Sequence, residues 1–119
     1  MFSIDMQSRV PIYEQLYNRM ISLMIKEVLK RGDQLPSVRE MAKELGVNPN
    51  TITKAYNELE RDGIIYSLAG RGSFVGEFDI STIKEKAVAD FDKAVKDALS
   101  KGVERKELCD RIMGGENND

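Results

Sequence analysis

The stretch SVREMAKELGVNPNTITKAYNELE, residues 37–60, decides the fold of this 119-residue chain. It holds two short amphipathic segments separated by a glycine and a valine. Ser37 and Glu40 have the spacing of a capping box, in which each residue satisfies a backbone N–H of the other. The first segment is therefore predicted to be a short helix that starts after Ser37 and ends at Gly46.

The second segment carries its own start signals. Asn48 is a favoured N-cap residue, and Pro49 is favoured as the first helical residue because its missing N–H costs nothing there. A helix is predicted over about residues 49–62, and its apolar residues fall on one face. These residues are Ile52, Ala55, Tyr56 and Leu59. Two such helices joined by a short link are typical of a helix-turn-helix.

The sequence on both sides completes a small domain. Upstream, Pro11 opens a helical apolar pattern predicted over residues 11–31 and stopped by Gly32, and a turn follows at residues 32–36. Downstream, residues 64–68 and 73–75 are rich in β-forming side chains and flank a glycine-rich turn. Three helices followed by a hairpin predict a winged helix.

The chain after Gly76 changes character. A helix is predicted over about residues 82–100, with a capping box at Thr82 and Glu85, and a shorter one over about 104–113. Residues 114–119 indicate a frayed tail. The predicted architecture is mainly α with a small β-hairpin. The sequence predicts a winged helix-turn-helix domain over residues 1–76 and a short two-helix segment with its tail over residues 77–119. From the residues described below, we expect DNA binding by the first and dimerisation by the second.

Composition narrows the function. The chain has no histidine and one cysteine, Cys109, which excludes a disulfide within the chain, a Cys/His zinc site and a histidine-based catalytic triad. No enzyme activity, cofactor or metal is predicted. The N-terminus does not resemble a signal peptide and no apolar stretch could span a membrane, so a cytoplasmic protein is expected. The net charge is −2, yet residues 1–76 carry ten basic and nine acidic residues, which leaves duplex DNA open as a partner.

The predicted helix 49–62 leaves polar side chains opposite its apolar face. They are Asn50, Thr53, Lys54 and Asn57. Asparagine can bond adenine, threonine can contact a thymine methyl, and lysine can reach guanine or phosphate. The backbone amides at the start of this helix and of the one beginning at Ser37 can hold phosphate oxygens. Gly70 and Gly72 allow a tight turn that projects Arg71 towards a minor groove.

Four spaced motifs carry a resemblance to a known family. They are GDQLPSVR at 32–39, MAKELGV at 41–47, TITKAY at 51–56 and GRGSFV at 70–75. Together they resemble the GntR family of bacterial transcription regulators. The PIYEQ motif at 11–15, the sequence from Asn48 to Glu60 and the short C-terminal part are similar to the YtrA-type branch of that family.

This resemblance implies a dimeric, sequence-specific regulator of double-stranded DNA, more often a repressor than an activator. It implies DNA contacts at Arg39, Asn48, Asn50, Thr51, Thr53, Gly70 and Arg71. Many members have an arginine after the cap of the recognition helix, where this chain has Pro49. About two helices replace the effector-binding domain in this branch, so an unidentified small-molecule effector would have to use a crevice between domains or subunits.

Two alternatives remain at this point. The C-terminal apolar stripe, which includes Ile83, Ala87, Phe91 and Val95, could fold back on its own domain or pair with a second copy. Pairing is preferred, because one recognition helix reads too few base pairs for a specific site and a homodimer reads two half-sites of a palindromic operator. The winged helix could instead be a protein–protein interaction module without DNA binding, which would require an apolar exposed third helix.

Overall fold

The structure is a computed structural model that describes residues 2–114. It divides into two compact units, and the division falls between Phe78 and Asp79. The elements, in chain order, are α1 (Ile12–Ile25), α2 (Val38–Leu45), α3 (Pro49–Arg61), β1 (Ile65–Leu68), β2 (Gly72–Val75), α4 (Ile80–Ser100) and α5 (Arg105–Gly114). Three helices and an antiparallel hairpin make the first unit a winged helix, as predicted.

The core of the first unit lies where α1 and α2 pack against α3 and where the hairpin closes over them. Its largest fully buried side chains are Leu16, Met20, Met41, Ile52, Leu59, Ile65 and Val75. Each such side chain stabilises the fold by roughly 1.5–3 kcal/mol relative to exposure. No polar or charged residue within the described range 2–114 is buried. The polar side chains of the unit therefore lie at or near its surface.

The predicted end of the first helix is wrong, because α1 stops at Ile25 rather than at residue 31. Glu27 adopts a left-handed conformation with φ 61°. The Val28 N–H donates to the Leu23 carbonyl at 2.8 Å, and the Glu27 N–H donates to the Met24 carbonyl at 3.1 Å. These two bonds form a Schellman motif, which ends a helix. The prediction was too long because apolar residues recur at helical spacing up to Val28, whose side chain is in fact 49% exposed.

Helices α2 and α3 begin where the sequence predicted. The Ser37 hydroxyl accepts a hydrogen bond from the Glu40 N–H, and the Glu40 carboxylate accepts one from the Ser37 N–H, so the capping box is formed. Gly46 ends α2 with φ 68°. The Asn48 side chain caps α3, whose first residue is Pro49.

The hairpin is joined by a third segment. Strands β1 and β2 pair with Ile65 opposite Val75 and Leu68 opposite Gly72. The Gly32 N–H donates to the Val75 carbonyl at 2.8 Å, and the Leu35 N–H donates to the Ser73 carbonyl at 2.9 Å. We call residues 32–35 the strap. The sequence predicted only a turn here, because three or four residues show no strand periodicity.

The second unit consists of two helices. Helix α4 begins two residues before the predicted start, because Asp79 caps it by accepting a hydrogen bond from the Ser81 N–H. The predicted capping box at Thr82 and Glu85 is therefore wrong, since both residues lie inside the helix. Helix α5 ends at Gly114. The rest of the predicted tail, residues 115–119, lies outside the described residues.

Neither α4 nor α5 has a buried residue. No helix within residues 2–114 is long and apolar enough to cross a membrane.

Candidate nucleic-acid interface

The outward face of α3 is polar and exposed. The exposed residues on it are Asn50, Thr53, Lys54 and Asn57, as the spacing predicted, whereas Thr51 is half-buried. Arg61, one turn beyond Asn57, is also exposed and extends this face, and sequence reasoning missed it. Because the opposite side of α3 is buried in the core, the helix presents this face in one fixed orientation.

Tyr56 fixes the two helices of the helix-turn-helix relative to each other. Its hydroxyl donates a 2.6 Å hydrogen bond to the Pro36 carbonyl, just before α2 begins. Burial of the ring, followed by the nearby Glu40 carboxylate, raises the pKa of the Tyr56 hydroxyl. Tyr56 is thus a buried packing residue and is not available to stack on a base.

Lys54 has a neighbour that the sequence did not reveal. Its ammonium lies 4.0 Å from the centre of the Tyr13 ring, on the first turn of α1. Such cation–π contacts are worth about 0.5–1 kcal/mol at exposed sites. Tyr13 therefore holds the lysine at the edge of the α3 face and adds a phenol to the same surface. The signal that could have found it is the PIYEQ motif, which places Tyr13 beside the N-terminus of α1.

The starts of α2 and α3 differ in the amides they offer. At α3, Pro49 has no N–H, and the amides of Asn50 and Thr51 donate to the side chain and the carbonyl of Asn48. At α2, the amides of Val38 and Arg39 have no hydrogen-bond partner within residues 2–114. The start of α2 therefore has free amides and the start of α3 has none among Pro49, Asn50 and Thr51, and phosphate binding at either start stays a prediction.

Arg39 lies in the first turn of α2, and one of the two free amides is its own. It is exposed and forms no ion pair with another residue of the described range. Unpartnered amides at a helix N-terminus and an exposed arginine in the same turn both favour binding of a phosphate oxygen. Ser37, whose hydroxyl is engaged in the capping box, contributes to this start by holding it in place.

The tip of the wing carries Arg71. Gly70 and Gly72 have φ values of 74° and 109°, a region that side chains other than glycine rarely adopt. The turn is closed by the Arg71 N–H, which donates to the Leu68 carbonyl at 2.9 Å. Arg71 is exposed and has no partner for its guanidinium within the described residues. The three surfaces thus formed are the α3 face, the start of α2 and the wing tip.

The predicted pairing residues lie along α4. Ile83 and Val95 are half-buried, whereas Ala87 and Phe91 are exposed. They follow one another at intervals of four residues, which places them on one face of the helix. Phe91 is 48% exposed and Val88, at the edge of this stripe, is 58% exposed.

Comparisons with known proteins agree with this geometry. A family model described as bacterial regulatory proteins, gntR family, matches residues 12–75. The chain belongs to the GntR family. It is 42% identical to the HTH-type transcriptional repressor YtrA of Bacillus subtilis (strain 168), over the whole length of both chains. This similarity places it in the YtrA-type branch.

Two solved structures resemble this GntR protein. YtrA from Sulfolobus acidocaldarius, a GntR-family transcription factor, has a TM-score of 0.61 and 41% identity, covering 73% of this chain and 96% of that one. The DNA-binding domain of AraR, in complex with operator ORX1, has a TM-score of 0.56 and 28% identity, covering 64% of this chain and 93% of that one. The relatives are named regulators, and this chain is a transcriptional regulator with a winged helix-turn-helix DNA-binding domain, not an enzyme.

Proposed function

We propose that this GntR regulator is a dimeric repressor that occupies a palindromic operator and excludes polymerase from its promoter. The observation that carries the proposal is the accessible polar face of α3, backed by a fully buried opposite face. The face would lie in a major groove, where Asn50, Thr53, Lys54 and Asn57 read base edges. No large apolar side chain of α3 is exposed, which disfavours the alternative of a protein-docking module.

The other two surfaces would position the protein on the DNA backbone. The free amides and guanidinium at the start of α2 would hold phosphate, with Ser37 keeping that turn in shape. Asn48 would act mainly by capping α3, since its side-chain oxygen is already engaged. Gly70 would allow the turn from which Arg71 enters a minor groove, where arginine is favoured by the negative potential.

Dimerisation would be provided by the stripe of Ile83, Ala87, Phe91 and Val95. Helix α4 has 21 residues, is about 32 Å long and buries none of them. Exposed apolar stripes of this kind commonly mark interfaces. A second copy of the chain is the occupant we propose, because a two-fold dimer presents two α3 faces to two half-sites. DNA as the target implies a cytoplasmic location.

The test is duplex binding on the promoter region of the protein's own gene, followed by footprinting. We expect a two-fold symmetric footprint and binding that weakens steeply with salt. Arg71→Ala and Lys54→Ala should each weaken binding, whereas the controls Arg105→Ala and Lys106→Ala, on α5, should not. Affinity that stays constant between low and moderate salt would contradict DNA binding.

An effector is proposed to act through the dimer, because residues 79–114 form only two helices and contain no separate sensor domain. Thermal unfolding with candidate metabolites tests this, since a ligand that binds the folded state raises the midpoint.

A further inference from the structure

The wing tip is tied to a residue outside the hairpin. The Gln34 side chain donates a 2.8 Å hydrogen bond from Nε2 to the carbonyl of Arg71. Within the described residues, no other side chain hydrogen-bonds to the turn formed by residues 69–72. Gln34 therefore makes the single side-chain contact of this type with the residue that projects from the tip.

The backbone of Gln34 is itself held in place. The strap carries it alongside β2, where Gln34 pairs with Phe74 as an isolated antiparallel bridge. The Leu35 N–H donates to the Ser73 carbonyl and the Val75 N–H donates to the Asp33 carbonyl, each at 2.9 Å. The side-chain amide of Gln34 thus reaches the turn from a backbone that is hydrogen-bonded to β2 on both sides.

Gly72 shows how closely the turn packs on this amide. A Cβ atom added to Gly72 would lie 2.9 Å from Gln34 Nε2, nearer than real Cβ contacts allow. The absence of a side chain at Gly72 therefore serves two purposes. It permits the φ of 109°. It also leaves room for the Gln34 side chain, which donates to the Arg71 carbonyl.

We propose that Gln34 is a positioning residue for DNA binding, acting through Arg71. Gly70 and Gly72 give the backbone around Arg71 high conformational entropy. Part of this entropy is lost when the arginine binds in a groove, which weakens the affinity. The bond from Gln34 removes part of this freedom before DNA arrives. The inference rests on the proposed role of Arg71, whereas Gln34 itself carries no charge and is assigned no DNA contact.

The test combines Gln34→Met with Arg71→Ala. Methionine keeps the length of the side chain but removes the N–H donor. One hydrogen bond of this kind corresponds to a loss of affinity of about threefold to tenfold. We expect that loss in the otherwise unchanged protein and no further loss when Arg71 is already alanine. Fluorescence anisotropy with an operator duplex at several salt concentrations measures both values.

The salt dependence gives a readout that a merely structural role would not move. Gln34→Met removes no charge, yet the slope of log affinity against log salt should become shallower, by up to about one, if the arginine loses its contact. Ser67→Ala is the matched control. It removes hydrogen bonds from the same hairpin, to Glu60 and Ser73, without touching the turn, and should leave the slope unchanged.

Three outcomes separate the proposals. Wild-type affinity and slope in Gln34→Met would overturn the role of Gln34, as would an equal loss in both backgrounds. An unchanged affinity in Arg71→Ala alone would instead overturn the DNA contact of Arg71. Gln34→Ala repeats the measurement with a smaller side chain, and thermal unfolding of each variant confirms that the protein binding the duplex is folded.

Discussion

The two units of this chain are both built on helices, but they differ in what those helices bury. In the winged helix, every helix contributes completely buried side chains, such as Leu16, Met41 and Ile52. In the C-terminal unit, α4 and α5 contribute none. The first unit therefore contains its own stabilising core, whereas within the second unit the described stabilising features are helix propensity and local ion pairs.

The ion pairs of the second unit illustrate this difference. Lys101 and Asp97, Lys106 and Asp110, and Arg111 and Glu107 pair four residues apart on exposed surfaces. Such pairs are worth only about 0.3–0.5 kcal/mol each. Helices in water are marginal without packing. The comparison teaches that the winged helix is stabilised by a core within one chain, whereas the C-terminal helices leave their apolar side chains for the second copy that we propose.

The largest expected effect is on dimerisation and comes from a substitution in the C-terminal unit. Phe91→Asp should replace a half-exposed ring of the pairing stripe with a charge, twice in each dimer. Burying a phenylalanine is worth about 1.5–3 kcal/mol, so the dimer dissociation constant should rise by a hundredfold or more. Analytical ultracentrifugation should show monomers, and operator binding should weaken with them.

Ala89→Asp is the control for this prediction. It introduces the same charge at an exposed position on the opposite side of α4 and should leave the dimer intact. If Phe91→Asp sediments as an unchanged dimer, the stripe is not the pairing surface.

The next effect tests the core of the winged helix. Leu59→Ala removes a fully buried side chain from α3 and should lower the free energy of unfolding by about 2–5 kcal/mol. Leu99→Ala, at a half-buried position in α4, should cost clearly less. Urea denaturation followed by circular dichroism measures both, and equal losses would mean that the two units do not differ as described.

A smaller gain is expected at the end of α1. Glu27 holds a left-handed conformation that costs a residue with a Cβ more than it costs glycine, and its carboxylate lies near the negative end of the helix. Glu27→Gly should therefore stabilise the winged helix by about 0.5–1 kcal/mol. Glu44→Gly, inside α2, should destabilise it instead. A Glu27→Gly variant with a lowered thermal midpoint would contradict the assignment of the helix end.

The smallest expected effect is on the pH dependence of helicity and concerns the cap of α4. The Ser81 backbone N–H bonded to the Asp79 carboxylate lowers its pKa below the ordinary 3.8. The cap therefore stabilises the helix fully above that ordinary value, and its contribution is lost as the pH falls through the lowered pKa. Asp79→Asn should cap with little dependence on pH. Helicity measured during acid titration should separate the two proteins, and identical curves would exclude the cap.

Sequence patterns predicted most of this fold because the signals were local. The capping box at Ser37, the cap at Asn48 and the glycines of the wing each act through neighbours in the chain. The end of α1 was missed because a glutamate occupies the left-handed position that usually carries glycine. The strap was missed because its partner strand lies about 40 residues away, as the bond from Gly32 to Val75 shows.

The candidate interface divides in the same way. Exposure of Asn50, Thr53, Lys54 and Asn57 followed from helical spacing alone. The contact between Lys54 and Tyr13, and that between Gln34 and Arg71, join elements far apart in sequence. The periodicity of a single helix or strand cannot predict contacts between residues so far apart in the chain. The occupied amides at the start of α3 could have been predicted from the sequence, because Pro49 has no N–H and an asparagine N-cap accepts from one of the next amides.

The strap has a mechanical consequence. It leads into the start of α2 while its backbone is bonded to β2, so one short segment joins the start of α2 to the wing. If the wing tip and the start of α2 contact DNA as proposed, we expect the two contacts to be lost together. A loosened hairpin would then shift the amides that we propose to hold phosphate, and dissociation from DNA would be a concerted step.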